Sequence, residues 1–174
     1  LDSAENMIDQ QIDLVEKLIK IREGLGQDLL TFGIDEQGTL RSPETHNFVE
    51  SPIGLIPETW NVLRGDQLFT CGSGHAPAEI ELSDNGTALY LKASDLSRAE
   101  NRNVVITAKL RYYPENQNTR INSFPENSIV FAKRGEAIRQ NRVRRVGCTV
   151  SVDSNLMVLE CYNVNPQFFV ELLT

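Results

Sequence analysis

The sequence predicts an α+β chain, a long N-terminal helix followed by a mixed, β-rich domain with short helices. Three observations lead there. Apolar residues recur at spacings of three and four through the first thirty positions, as on one face of a helix. Gly and Pro then crowd residues 33 to 57 with little periodicity. After Trp60, short β-branched and aromatic runs alternate with turn residues. At 174 residues, 40% hydrophobic and 24% charged, the chain has the composition of a globular protein rather than a disordered one.

In the helix, Asp2 followed by Glu5 fits a capping box. Ile8, Ile12, Val15 and Ile19 make one apolar stripe; Met7, Leu14, Leu18, Ile21 and Leu25 make its neighbour. No long partner helix appears later in the sequence. The face must then be covered by another chain, by a missing part of this one or, as in an ordinary amphipathic helix, by its own domain. The expectation is an antiparallel long helix from a neighbouring chain, with Met7, Ile8, Ile12, Val15, Leu18 and Ile19 at the interface. Gly24 and Gly26 lower helix propensity by about 1 kcal/mol each. The end is expected near Thr31, with Gly33 in the left-handed cap conformation.

Residues 33 to 57 read as a connector. Strands are expected at Thr87 to Leu91, Asn103 to Ile106, Ser128 to Ala132, Thr149 to Val152 and Leu156 to Leu159. A short helix is expected around Ala108 to Tyr113, and another from Asn165, with Asn165 as N-cap and Pro166 at the first helical position. Trp60, Leu63, Leu68, Leu89, Val104, Ile106, Ile129, Phe131, Val158 and Phe168 are the expected core.

The longest uncharged stretch, Gln67 to Ala78, has 12 residues including two Gly and a Pro, too short and broken for a transmembrane helix. No basic start followed by an apolar run marks a signal peptide. The chain opens without Met inside a helical pattern, so a fragment is expected. Three cysteines, Cys71, Cys148 and Cys161, suit a reducing cytoplasm better than a disulfide framework.

The net charge of −7 is unevenly spread. Residues 1 to 66 carry 13 acids and 5 bases, whereas Lys133 to Arg145, KRGEAIRQNRVRR, carries six bases and one acid. A dense basic segment on an acidic protein suits local binding of an anion, although such segments also occur as solvated loops. Within it Arg134, Arg139, Gln140, Asn141, Arg142, Arg144 and Arg145 supply two kinds of contact. Arg matches guanine O6 and N7, Asn and Gln match adenine N6 and N7, and the cations neutralise phosphates. Arg134 beside Gly135, and Arg139 with Asn141, are the expected base readers. Arg142, Arg144 and Arg145 form the expected phosphate track, although alternate residues of a strand face opposite ways and one of them could instead pair with an acid. Lys133, Lys92 and the loop from Ser73 to His75 are expected to help. The six cations repel one another, so the free segment is expected to be mobile or paired with distant acids.

Signs of catalysis are missing. Cys71 and His75 have no second ligand pair, so no metal is expected. Gly72-Ser73-Gly74-His75 is not a nucleophile elbow and reads as a flexible loop able to approach a ligand with its backbone. No phosphate loop or dinucleotide fingerprint is present, and no cofactor is expected. Asn165-Pro166-Gln167-Phe168 resembles the Asn-Pro-Pro-Tyr/Phe tetrad of DNA adenine methyltransferases, but Gln stands at its third position and a helix start explains the same residues.

The run GLGQDLLTFGID from Gly24 to Asp35, then SPIGLIPETW from Ser51 to Trp60, then FAKRGEAIRQNRVRR and SVDSNLMVLE in that order, resembles the DNA specificity (S) subunit of type I restriction-modification enzymes. The resemblance implies a non-catalytic subunit that reads one half of a bipartite site in double-stranded DNA. It implies residues 1–32 as the end of a central conserved helix serving as a coiled-coil spacer, 33–50 as a connector, and 51–174 as a target recognition domain truncated at its C-terminus. It also implies docking of methyltransferase (modification) subunits, indirect association with motor-nuclease (restriction) subunits, and an orphan helix open to self-association. The other reading is a protein-interaction fragment that docks methyltransferase subunits through its helix and binds no DNA itself.

Overall fold

The computed structural model describes the backbone from Asp2 to Thr174 and side chains from Ala4 onward. The chain divides into two compact units, Leu1–Val62 and Leu63–Thr174.

The first unit opens with helix α1, Asp2–Thr31, which runs through Gly24 and Gly26 without a break. The Asp2 side chain of the expected capping box lies outside the described residues. The helix ends as its sequence requires. Gly33 N–H donates to the Leu29 carbonyl at 3.0 Å, and Gly33 sits at φ +66°, the left-handed region that glycine enters at least cost. A Cβ at Gly33 would also fall 2.7 Å from the Trp60 ring, so the missing side chain lets that indole lie against the helix end. Trp60 is thus half-buried in this first unit and is not part of the β-domain core. The residues read as a connector contain a hairpin instead. Strand β1, Phe48–Ser51, pairs antiparallel with β2, Gly54–Pro57. Gly54, at φ +107°, makes the turn possible, and Phe48 meets Phe32 edge-on at 6.0 Å. Along α1, Ile8, Ile12, Val15 and Ile19 are all open to solvent in the single chain.

The second unit holds strands β3 (Phe69–Ser73), β4 (Ala88–Leu91), β5 (Val104–Val105), β6 (Leu110–Tyr112), β7 (Ile129–Ala132), β8 (Arg144–Val146), β9 (Val150–Val152) and β10 (Leu156–Cys161), then helix α2 (Pro166–Leu173). Five strands form one sheet in the order β3-β10-β7-β8-β5, and three form another in the order β6-β4-β9. Pairing is antiparallel except for β5 with β8 and β4 with β9. Leu89, Leu91, Leu96, Val105, Val130, Val146, Val150, Val152, Leu156 and Val158 bury together as the main core. Each such side chain stabilises the fold by about 1.5–3 kcal/mol through removal from water. A second cluster joins Ile129, Val143, Leu159 and Val170 of α2, with Phe69 and Phe169 packed against it.

The expected α2 forms. Asn165 Oδ1 accepts from Gln167 N–H at 2.9 Å and Phe168 N–H at 3.3 Å, so this asparagine is a helix cap. The expected helix at Ala108 to Tyr113 is strand β6, because Leu110 and Tyr112 pair with β4 and Tyr112 hydrogen-bonds Ser151 Oγ at 2.7 Å from the buried side. Of the expected core, Leu89, Ile129 and Val158 are buried, while Leu63, Ile106 and Phe168 are exposed. At β5 the buried residue is Val105, so the strand phase is one residue off the reading that favoured Val104 and Ile106. On α2 it is Val170 that enters the core. Gly72 and Ser73 belong to β3, not to a flexible loop. The close backbone approach at Gly74 is real, but toward this chain's own Val152 carbonyl, leaving no room for a Cβ. Among the described residues no helix is long and apolar enough to cross a membrane.

Candidate functional site

Strand polarity gathers five segments at one end of the five-stranded sheet. Because β10 is antiparallel to both β3 and β7, those two strands end beside its start. β8 is antiparallel to β7 and so begins at that end; β5 is parallel to β8 and begins there too. The residues brought together are Ser73 to His75 after β3, Asn155 before β10, Lys133 and Arg134 after β7, Arg142 and Arg144 at the start of β8, and Arg102 before β5. The smaller sheet adds to the same end. β9 runs into the Asp153–Asn155 turn that starts β10; β4, parallel to β9, leads to Lys92; and β6, antiparallel to β4, begins after Lys109.

Hydrogen bonds fix part of this surface. Lys133 Nζ donates to Ser73 Oγ at 2.6 Å, Ser73 Oγ donates to the Leu156 carbonyl at 3.0 Å, and Asn122 Nδ2 donates to the Ser73 carbonyl at 3.2 Å. His75 is held through its backbone, its carbonyl accepting from Tyr90 Oη at 2.6 Å and from Ser154 N–H at 3.2 Å. Its Nδ1 lies 3.3 Å from Glu79, while Nε2 is buried without a hydrogen-bond partner.

The carboxylates nearby are already engaged, by backbone or by another arginine. Buried Asp95 accepts from the N–H groups of Lys92 (2.8 Å) and Lys109 (3.0 Å), and buried Asp153 accepts from Asn155 N–H at 2.6 Å. Glu100 faces Arg98 at 3.7 Å, and Glu136 faces Arg139 at 3.6 Å. Among the described residues, Lys92, Arg102, Lys109, Lys133, Arg134, Arg142 and Arg144 have no ion pair with an acid. A chain of net charge −7 thus carries a locally uncompensated positive edge. Burial first, then the charges of Arg142 and Arg102, lower the pKa of the Arg144 guanidinium.

Not every expected residue joins this edge equally. Gly135, at φ +73°, turns the chain outward from Arg134 into the 3-10 turn Glu136–Gln140, where Arg139 and Gln140 are exposed. Asn141 donates through Nδ2 to the carbonyls of Leu173 and Thr174 at 3.3 and 3.1 Å, so its amide is engaged by the end of the α2 segment. Arg145 departs altogether. It pairs with Ile129 on the strand face opposite Arg144, and its Nη1 donates to Asn127 Oδ1 at 2.6 Å, at the far end of β7. The expected three-arginine track is therefore two arginines plus a third facing away. Within the basic segment the one acid pairing is local, Arg139 with Glu136, and no distant acid joins it among the described residues. Arg102, Lys109, Asn122 and Asn155 were invisible as site residues in the sequence, being isolated polar residues that only strand pairing brings here. The expected interface residues Met7, Ile8, Ile12, Val15, Leu18 and Ile19 lie on α1 in the other unit, each at least half exposed.

No protein-family model matches the chain. Its fold is similar to that of the HsdS subunit from Thermoanaerobacter tengcongensis, with a TM-score of 0.55 and 12% identity over 95% of this chain. A chain from a structure on complex assembly and conformational transition of the type I R-M system matches with a TM-score of 0.53, again at 12% identity and 95% coverage. The chain spans 38% of the length of each. What this chain shares with the HsdS subunit and with that chain of the type I R-M system is their fold.

Proposed function

We propose that the Leu63–Thr174 unit recognises double-stranded DNA, reading one half of a bipartite target as part of a non-catalytic specificity subunit in a type I restriction-modification complex. The observation that carries this reading is the row of unpaired cations at one end of the five-stranded sheet, in a protein that is otherwise acidic. Lys92, Lys133, Arg142 and Arg144 suit phosphates, which add salt-dependent but sequence-independent affinity. Arg134 and Arg139, on the outward loop that Gly135 begins, suit base edges through bidentate contacts. Ser73 and His75 border them, with Gln140 and Asn141 farther along the loop. The likeness of fold to HsdS subunits supports the same role. In this reading α1 docks the methyltransferase subunits, and the motor-nuclease subunits associate through them.

The test is a duplex titration of the full chain across salt concentrations, followed by selection from a randomised duplex after assembly with methyltransferase subunits. Affinity that falls linearly with log salt, and an enriched half-site, are expected. Alanine at Arg134 or Arg139 should cost about 1–3 kcal/mol on the enriched site and flatten preference. The open stripe on α1 favours a second reading, a fragment that only docks methyltransferase subunits. It predicts no salt-dependent binding to any duplex, and that result would overturn the first.

A further inference from the structure

We infer that Arg102, Arg142 and Arg144 form one binding site for a phosphate-type oxyanion. The DNA-binding reading supplies a source for that anion, a backbone phosphodiester, but the site itself stands on its own geometry.

Arg144 opens β8 and Arg142 lies two residues before it; Val143 between them buries with Ile129 in the opposite cluster, which leaves the two arginines toward the other face. That face is the main-core face, since Arg144 pairs with Val130, and Val130, Val105 and Val146 bury in one cluster with Leu96. Leu96 belongs to the 3-10 segment Ala93–Ser97, which with Ala99–Asn101 covers this side of the sheet and delivers Arg102 directly after it. The delivery is rigid. Asn101 is fully buried and makes four hydrogen bonds, donating to the carbonyls of Asp95 and Thr107 and accepting from the N–H groups of Ile106 and Thr107. Arg102 itself is exposed.

Three guanidinium groups so placed repel one another, and among the described residues no carboxylate pairs with them. Asp95 is committed to backbone N–H groups, and Glu100 faces Arg98. Hydrogen bonding is also incomplete. Arg144 donates through Nη1 to the Val143 carbonyl at 2.7 Å, but its Nε and the Nη1 of Arg142 are buried with no acceptor. Folded proteins rarely leave such donors unmade. A tetrahedral oxyanion answers both deficits, because its oxygens accept from several planar N–H forks at once and its charge offsets the repulsion. This fits a phosphate better than a single carboxylate, which offers only two oxygens to three cations.

The test uses inorganic phosphate as probe, titrated at constant ionic strength into the full chain while the arginine Nε–Hε resonances are followed. The Arg102, Arg142 and Arg144 signals should move together along one saturating curve, with those of Arg134 and Arg139 still. Arg102→Met should abolish the saturable shift of the other two; Arg102→Lys, which keeps the charge, should retain it in weakened form and shows that folding is intact. With duplex DNA, Arg102→Met should lower the salt slope by about one without changing sequence preference. Phosphate that moves none of the three, or that moves Arg142 and Arg144 equally in the Arg102→Met chain, overturns the site. Phosphate binding in a chain that binds no duplex keeps the site and defeats the DNA reading. Duplex binding with an unchanged slope in Arg102→Met, with no phosphate response, does the reverse.

Discussion

On α1, Ile8, Ile12, Val15 and Ile19 are 50–57% exposed, whereas Ile129 and Val130 on β7, and Leu156 and Val158 on β10, are wholly buried. Among the described residues every buried large hydrophobic except Ile56 lies in the Leu63–Thr174 unit. The two sets of residues are alike in kind, and both are periodic in sequence. They differ in whether the same chain supplies what covers them. Periodicity shows which face of an element is apolar, and the covering surface has to come from elsewhere. In the β-rich unit strands about ninety residues apart supply it; on α1, among the described residues of its own unit, the stripe from Ile8 to Ile19 stays open.

That contrast can be broken first where it is strongest. Leu156→Ala removes a fully buried side chain from the strand between β3 and β7, and should cost about 2–5 kcal/mol in urea denaturation followed through the β-rich unit. Next, Asn101→Ala strips partners from four backbone groups and should cost about 1–3 kcal/mol or more, with hydrogen exchange rising first at Ile106 and Thr107. By comparison, Ile12→Ala on α1 should change the stability of the isolated chain by less than about 0.5 kcal/mol. Its effect should appear instead in sedimentation at high concentration, as weaker self-association, or in weaker capture of methyltransferase subunits. An Ile12→Ala loss as large as that of Leu156→Ala would show that α1 is already covered. The smallest effect is expected at Asp35→Asn. Asp35 accepts from the N–H of Thr39, which lowers its pKa from the ordinary carboxylate value; burial opposes this, while Gln37 N–H, His46 and Arg41 assist. A carboxyl whose pKa falls on folding stabilises above its unfolded value and loses that contribution as pH drops through the folded one. A slight gap in melting temperature between Asp35 and its Asn variant should therefore be present at neutral pH and close below about pH 4.

Local chemistry was legible. The Asn165-Pro166 start of α2 and the Gly33 end of α1 depend on a few adjacent residues, and both stand where those residues put them. Short alternation was legible only in part. Ala108, Leu110 and Tyr112 alternate with Lys109 and Arg111, a strand pattern that the helix reading passed over. Of the candidate site, the segment from Lys133 to Arg145 could be seen as a charge cluster, and strand alternation as something that could divide it, but not which arginine would leave. Arg144 and Arg145 are neighbours in sequence and face opposite sides of a sheet. Arg102 is one of several cations scattered among acids from Lys92 to Arg111, and its charge reaches Arg144 because β5 lies parallel to β8, pairing Val104 with Arg145 about forty positions on. No local signal encodes a parallel pairing of that span.

The place of β10 in the sheet also sets a schedule. β3, at Phe69–Ser73, hydrogen-bonds only to β10 within its sheet, and β10 begins at Leu156. At a synthesis rate of about 5–20 residues per second, roughly 4–18 s separate the emergence of the two strands from a ribosome. Throughout that interval β3 has an unpaired edge and α1, already complete, displays its apolar stripe. The nascent chain therefore passes through a period in which two adhesive surfaces are open at once, and its yield in a cell should depend on chaperone occupancy during those seconds more than on the stability of the finished fold.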